Sequence, residues 1–330
     1  HIAAVGGIGR KSGVAFGHAG LSPQDQASKI HLGCTGYSGF ADCRFGVDGF
    51  SAEPPLKREN KEGSCLGKWI KRVLALLLLC AMVLGYARWI EPRWIQVKKV
   101  ELSLPGLTEE MRVVCFGDTH MGLEFGPEDL EQWVEKINGL EPQAVVFLGD
   151  LFDNYSQYEG DPGEVSRALS HLQAPCKLAV MGNHDVGGGA ERVYEDIMEK
   201  AGFQVLRNQN VQLGSVNFVG ADELLFFVPQ VEGLEEEGKC NILLSHAPDY
   251  ADETQGFQLS VAGHTHGGQV CLPFYGALVK PPGGEHYTSG LYEEGDELVY
   301  VNRGLGVTSL PLRFFARPEI TVLELSPQGG

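Results

Sequence analysis

Histidines, aspartates and one asparagine recur along the second half of the chain in five short polar clusters, each placed where an apolar run ends. The first is Asp118-Thr119-His120. Residues two apart on an extended segment point to the same side, so Asp118 and His120 can converge on one ion. The second carries Asp150 and Asp153 in Gly149-Asp150-Leu151-Phe152-Asp153-Asn154. Two carboxylates so close need counter-charge, which a bound cation supplies, although an Asp capping a helix start is the plainer use. The third, Gly182-Asn183-His184-Asp185, also suits a polar turn. The fourth is His246 after Ser245, where a lone histidine is more often structural. The fifth, Gly263-His264-Thr265-His266-Gly267-Gly268, sets two imidazoles two residues apart between glycines, which packing alone does not explain. Each cluster has an ordinary explanation taken singly. Together they offer imidazole, carboxylate and amide donors, a set that suits Mn, Fe or Zn and is too rich in nitrogen for Mg or Ca alone.

The clusters need elements to hold them. Residues 113–117, 144–149 and 177–181 are short apolar runs bounded by turn residues and read as buried strands. Between and after them, 127–138, 163–172 and 190–201 have helical spacing. Further strands are expected at 216–220, 242–245, 259–263, 298–302 and 319–325. The order is α/β at first and strand-rich later, with no internal repeat. In such sheets ligands bind beyond strand ends, which is where all five clusters lie.

The combination D-x-H, G-D-x-x-D, G-N-H-D, H and G-H-T-H resembles the calcineurin-like metallophosphoesterases, with all five blocks in the family's order. The flanking GHTHGGQV, SGLY at 289–292, NRGLG and PLRFFARPEI look like the bacterial branch with an N-terminal membrane segment. The resemblance covers roughly residues 69–326, and Thr119 stands where the family commonly has an acyclic apolar residue. It implies an α/β (α+β) fold, a four-layer αββα sandwich of two mixed sheets flanked by helices and preceded by one transmembrane helix. It also implies that Asp118, His120, Asp150 and His266 hold one divalent metal and Asp150, Asn183, His246 and His264 a second, with Asp150 bridging. His184, oriented by Asp153, would face the leaving-group oxygen as the catalytic acid. Two divalent ions outweigh the charge of Asp118 and Asp150, so such a site stays cationic and attracts phosphate. Ions about 3.5–4 Å apart can position a hydroxide for in-line attack while polarising the phosphoryl group. Some members of that branch cleave the pyrophosphate of UDP-2,3-diacylglucosamine; others are envelope phosphoesterases of unsettled substrate.

Residues 73–87 form an uninterrupted apolar run with Lys71 and Arg72 before it, Arg88 after it, and Trp69 and Trp89 at its flanks. The pattern predicts a membrane anchor over 69–90, with a signal-peptide core ending at Gly85-Tyr86-Ala87 as the competing reading. Basic residues on the two sides nearly balance, so the sequence assigns no orientation. Residues 1–64 are Gly-rich and aperiodic, and precede the first Met, Met82; they read as an extension of little order. The catalytic domain is expected over 98–330. It carries 36 Asp/Glu against 14 Lys/Arg, whereas 1–97 carries 7 against 12. So acidic a domain repels a phosphate backbone, and nucleic acid is a poor partner. The eight cysteines form no CxxC pair, and Cys115 and Cys176 within apolar runs read as buried thiols. The partners expected are a phosphorylated small molecule or lipid-linked substrate and, through the helix, a membrane. Apolar residues 224–228, with Trp89, Ile90, Trp94 and Ile95, are the candidate lipid contacts. Two alternatives stand beside the lipid hydrolase: a tethered enzyme on soluble phosphodiesters, and a metal-binding scaffold without catalysis. A scaffold would be expected to lack a ligand or His184.

Overall fold

The computed structural model describes residues 61–329, with side chains from residue 67 onward. All but 61–64 of the expected N-terminal extension lies outside the described residues. Helix α1 (Lys61–Gly85) runs without a break through a π turn (Tyr86–Ile90) and a 3₁₀ turn (Glu91–Arg93) toward β1 (Gln96–Leu104). Strands and helices then alternate: β2 (Met111–Phe116), α2 (Pro127–Asn138), β3 (Ala144–Phe147), α3 (Pro162–Ser170), β4 (Cys176–Ala179), α4 (Asn183–Gly187), α5 (Tyr194–Lys200) and β5 (Gln204–Val205). The remainder is mostly strand. It comprises β6 (Gln209–Leu213), β7 (Val216–Gly220), β8 (Cys240–Leu244), β9 (Leu259–Ala262), β10 (Cys271–Leu272), β11 (Gly276–Ala277), β12 (Gly290–Glu294), β13 (Glu297–Val301) and β14 (Glu319–Pro327).

Two six-stranded mixed sheets result, ordered β1-β14-β2-β3-β4-β5 and β12-β13-β9-β8-β7-β6, with β10 and β11 a separate hairpin. Strands β2 to β5 run parallel in the first, as do β7, β8, β9 and β13 in the second. Parallel strands covered on both faces need no polar alternation, which explains why β3, β7, β8 and β9 are buried at every position.

The sheets share a core in which Val113, Cys115, Val146 and Leu178 of the first pack with Phe218, Ile242, Leu244 and Val261 of the second. Each such side chain contributes about 1.5–3 kcal/mol on burial. On the outer face of the first sheet, α2 buries Leu130, Trp133, Val134 and Ile137, a stripe at helical spacing. Pro127 starts this helix, and the Asp129 carboxylate accepts the Gly126 N–H at 3.0 Å. The outer layer of the second sheet is thinner: loops and a 3₁₀ turn (Pro248–Glu253) place Tyr250 and Phe257 over Val219 and Leu243. The helix expected over 190–201 is shorter, starting at Tyr194, while Asn183 opens a short helix of its own.

The end of α1 is fastened to the domain. The Arg313 N–H donates to Ala87 O at 2.9 Å and the Ala316 N–H to Glu91 Oε1 at 2.6 Å. Arg88 and Arg93 both pair with Glu124, and the Tyr86 ring meets Phe314 edge-on at 6.4 Å. Ala87 and Glu91 are buried, whereas Trp89 and Ile90 stay exposed. Among the described residues one helical stretch, Gly67–Arg93, is long and apolar enough to cross a membrane.

Candidate metal centre

Each cluster begins just beyond the C-terminal end of a parallel strand: Asp118 after β2, Asp150 after β3, Asn183 after β4, His246 after β8 and His264 after β9. The packing of the two sheets therefore brings the five turns to one end of the molecule. The turns are sharp. Asp118, His120, Asp150, His264 and His266 all have left-handed backbones, with φ between 45° and 70°. For residues with a Cβ this conformation costs about 1–2 kcal/mol each, and it persists only where neighbours hold it.

Those neighbours are hydrogen bonds between the turns. The Asp118 N–H donates to Gly149 O at 2.8 Å, the Thr119 N–H to Asp150 O at 2.9 Å, and the His264 N–H to both Asp118 oxygens at 3.0 and 3.1 Å. The fully buried Asp185 carboxylate accepts three more, from the N–H groups of Asp150 (2.8 Å), Leu151 (2.9 Å) and Gly182 (2.9 Å). Burial and nearby Asp150 push its pKa up to about 7, against the pull of these donors. Asp185 thus binds two of the clusters together. Its position three residues after Gly182 at a helix start is a capping pattern, the signal by which the sequence announces such a role. Gly182 is fixed as tightly: a Cβ there would lie 2.1 Å from Asp150 Oδ1.

Two groups of donor atoms result, sharing Asp150. In one, His246 Nε2 lies 3.2 Å from Asp150 Oδ2, 3.0 Å from Asn183 Oδ1 and 3.1 Å from His264 Nδ1. The far nitrogens are committed, His246 Nδ1 to Leu148 O at 2.7 Å and His264 Nε2 to Pro282 O at 2.9 Å. Burial disfavours charge on His246, yet Asp150 and Asp118 outweigh it and raise its pKa to about 10. Burial and His246 hold His264 down at about 4. One proton on His246 Nε2 satisfies one of the three acceptors around it, whereas a divalent cation would satisfy all four atoms. The donor set therefore fits a metal.

In the other group, His120 Nε2 and His266 Nε2 lie 2.9 Å apart, with Asp118 Oδ1 3.6 Å from the latter and Asp150 Oδ2 3.6 Å from the former. Burial, His120 and the buried Arg313 guanidinium, 3.2 Å from His266 Nδ1, depress the His266 pKa and leave that ring neutral. All seven residues expected to hold metal thus converge. Asp118, His120 and His266 form one compact triad, and Asp150, His246 and His264 another.

His184 stands beside the shared Asp150, its N–H donating to Asp150 Oδ1 at 2.8 Å. Its ring is oriented through Asp153, but by the main chain: Nδ1 is 2.7 Å from Asp153 O and 3.7 Å from Asp153 Oδ1. The Asp153 carboxylate lies nearer His120 Nδ1, at 3.3 Å. Burial opposes charge on His184, but Asp150 and Asp153 hold its pKa above the usual value. Thr308 Oγ1, unforeseen in the sequence, lies 3.5 Å from both His184 Nε2 and Asp153 Oδ1.

A cavity of about 340 Å³ opens over this floor, reaching His120, Asp150, Asn183, His184, His264 and His266. Its walls are apolar, including Leu225, Val270, Leu278, Val279 and Leu310. Of the expected lipid-contact run 224–228, Leu225 lines this cavity while Phe226 and Val228 are exposed.

Residues 111–268 match the family profile described as calcineurin-like phosphoesterase. The chain is 40% identical over 255 residues to the metallophosphoesterase YkuE of Bacillus subtilis, an alignment covering 73% of this chain and 89% of that protein. It is 30% identical over 259 residues to the phosphodiesterase YaeI of Escherichia coli, covering 73% and 92%. With a transmembrane protein with metallophosphoesterase domain from Danio rerio it shares 26% identity over 303 residues, covering 81% and 65%.

Proposed function

The chain belongs to the calcineurin-like phosphoesterase family, a hydrolase of phosphoric esters, and on that footing we propose a membrane-anchored dinuclear enzyme that cleaves a phosphodiester or pyrophosphate bond. The observation that carries it is the convergence of nine side chains from five strand ends: seven metal-donor residues, His184 and Asp153. Asp118, His120, Asp150 and His266 would hold one divalent ion, and Asp150, Asn183, His246 and His264 the other, with Mn, Fe or Zn the metals that suit these donors. When bound, such a pair supplies positive charge to the phosphoryl oxygens and makes an attacking water more acidic.

The chain's own residues do the rest. Asp153 O fixes His184 Nδ1, which leaves Nε2 beside Thr308 in the cavity. From there His184 Nε2 can give a proton to the departing oxygen. Asp185 and the paired turns hold the donors at fixed spacing, and the apolar walls offer surface to the part of a substrate that carries no phosphate.

Those walls and α1 support a lipid-linked phosphoester as substrate, of which a UDP-linked diacylglucosamine is the specific case to try. The bacterial sources of YkuE and YaeI support a bacterial cell membrane, crossed once by α1.

The test uses the full chain in detergent, stripped by chelator and reloaded with Mn. Turnover of bis-p-nitrophenyl phosphate and of UDP-2,3-diacylglucosamine should appear only with metal. His184→Ala should lower it by about 10²–10⁴-fold, the range for a lost general acid. Asp150→Asn should abolish it and lower the bound metal measured by elemental analysis. Stoichiometric metal with no turnover of either substrate would return the chain to the scaffold class, and turnover of the soluble diester alone would sink the lipid-linked assignment.

A further inference from the structure

The cavity wall, the hairpin and the anchor form one connected surface. From the end of α1, Arg313 is bonded to Ala87 and Phe314 packs on Tyr86. Phe314 in turn pairs with the start of the hairpin: its N–H donates to Gln269 O at 2.9 Å, and its carbonyl accepts the Cys271 N–H at 2.8 Å. The hairpin carries Phe274, fully exposed, and Tyr275, 74% exposed, and leads into Val279, 72% exposed on the cavity rim. Phe315 and Leu310, each 60% exposed, flank it on the strap 310–315. Apolar side chains this large and this open, grouped rather than scattered, mark a surface that meets something apolar.

Charge segregation points the same way by an independent route. Residues 254–284 and 298–318 contain no Asp or Glu, in a domain holding 36 of them. Apart from histidine, their ionic residues are Lys280, Arg303, Arg313 and Arg317. The rest of the domain is acidic enough to be repelled by anionic headgroups, while these two segments add nothing to that repulsion.

We propose that the β10–β11 hairpin and the 310–315 strap sit in the interfacial layer of the bilayer that α1 enters, so that the cavity faces the lipid and a phosphate-bearing lipid reaches the metal-donor floor from the side. This rests on the reading of α1 as a membrane anchor. The occupant is the bilayer rather than a second protein because the surface is continuous with the helix exit, where Trp89 and Ile90 are exposed as well. A Tyr at a hairpin tip suits that layer, where one end of a side chain is apolar and the other wet, and the Phe beside it adds apolar area.

The experiment places the full chain in vesicles of phosphatidylcholine and phosphatidylglycerol that contain a photoactivatable phosphatidylcholine, and maps the crosslinks by mass spectrometry. Labelling is expected on α1 and also on 271–279 and 310–315. Labelling of α1 with none on the hairpin and strap overturns the proposal and leaves the anchor standing. Absence of label from α1 overturns the anchor reading and the proposal with it. The double variant Phe274→Ser/Tyr275→Ser should lose about tenfold of the hairpin label, since interfacial binding scales with buried apolar area, while keeping the α1 label and soluble diester turnover. Undiminished hairpin label in that variant, or an equal fall in soluble turnover, overturns the role given to these aromatics.

Discussion

The floor of the cavity and its rim are built on opposite rules. On the floor Asp118, His120, Asp150 and His266 are almost wholly buried, and five donors are held in left-handed backbones by bonds between turns. On the rim β10 and β11 are two residues each, and Phe274, Tyr275 and Val279 are open to the outside. Chemistry needs fixed donors, so the floor accepts backbone strain in return for position. Selecting a substrate by its apolar part needs only area, so the rim can be light. The enzyme class is written in the first region, and the proposed lipid-linked substrate rests on the second.

Three changes sharpen that contrast, in order of expected effect. Gly182→Ala forces a Cβ into the space of Asp150 Oδ1 and should lower phosphodiester turnover by about 10²-fold, the cost of roughly 1 Å of misplacement. A turnover near that of the unaltered chain would show the floor to be compliant. Asp185→Asn alters none of the seven donor side chains yet leaves one of three buried N–H groups facing another donor. It should cost about 1–3 kcal/mol in thermal unfolding and weaken metal binding by roughly 10–100-fold in a chelator titration. Unchanged unfolding and metal affinity would deny Asp185 its role in joining the clusters.

The smallest effect belongs to the rim. His286 pairs with Asp252 at 2.5 Å in the loop that supplies Pro281 and Pro282 to the cavity. The bond to Asp252, with Asp249 nearby, raises its pKa. A raised folded-state pKa means that the pairing is fully present below the ordinary histidine range and is lost as pH rises through the raised value. Hydrogen exchange of 280–287 should therefore quicken over that interval beyond its intrinsic pH dependence, and His286→Gln should remove the extra acceleration. An identical profile in the variant would assign the change to another group.

Legibility in the sequence followed the same division. The eight strands that apolar runs announced, β2, β3, β4, β7, β8, β9, β13 and β14, are the interior strands of the two sheets. The strands they did not announce include all four edges. β1 carries Lys98 and Lys99, β5 has two residues, β6 is half-buried and β12 ends in Glu293-Glu294. An edge strand covered on few sides has no need of a continuous apolar run, so it leaves none to read. The donors were legible because metal chemistry permits few residue types. Thr308 and the main-chain carbonyl of Asp153 were not, since their roles come from where the fold puts them rather than from what they are.

One further property follows from the join between α1 and the domain. Only Trp94 and Ile95 separate the last helical turn from β1, and Ala87 and Glu91 are already locked to the strap, so the helix ends in a clamp and not in a flexible stalk. Each residue added to the helix ahead of that clamp turns everything beyond it by about 100° and lifts it by about 1.5 Å. If α1 is the proposed membrane anchor, it sets a heading as well as an attachment: its azimuth decides which side of the catalytic unit looks down.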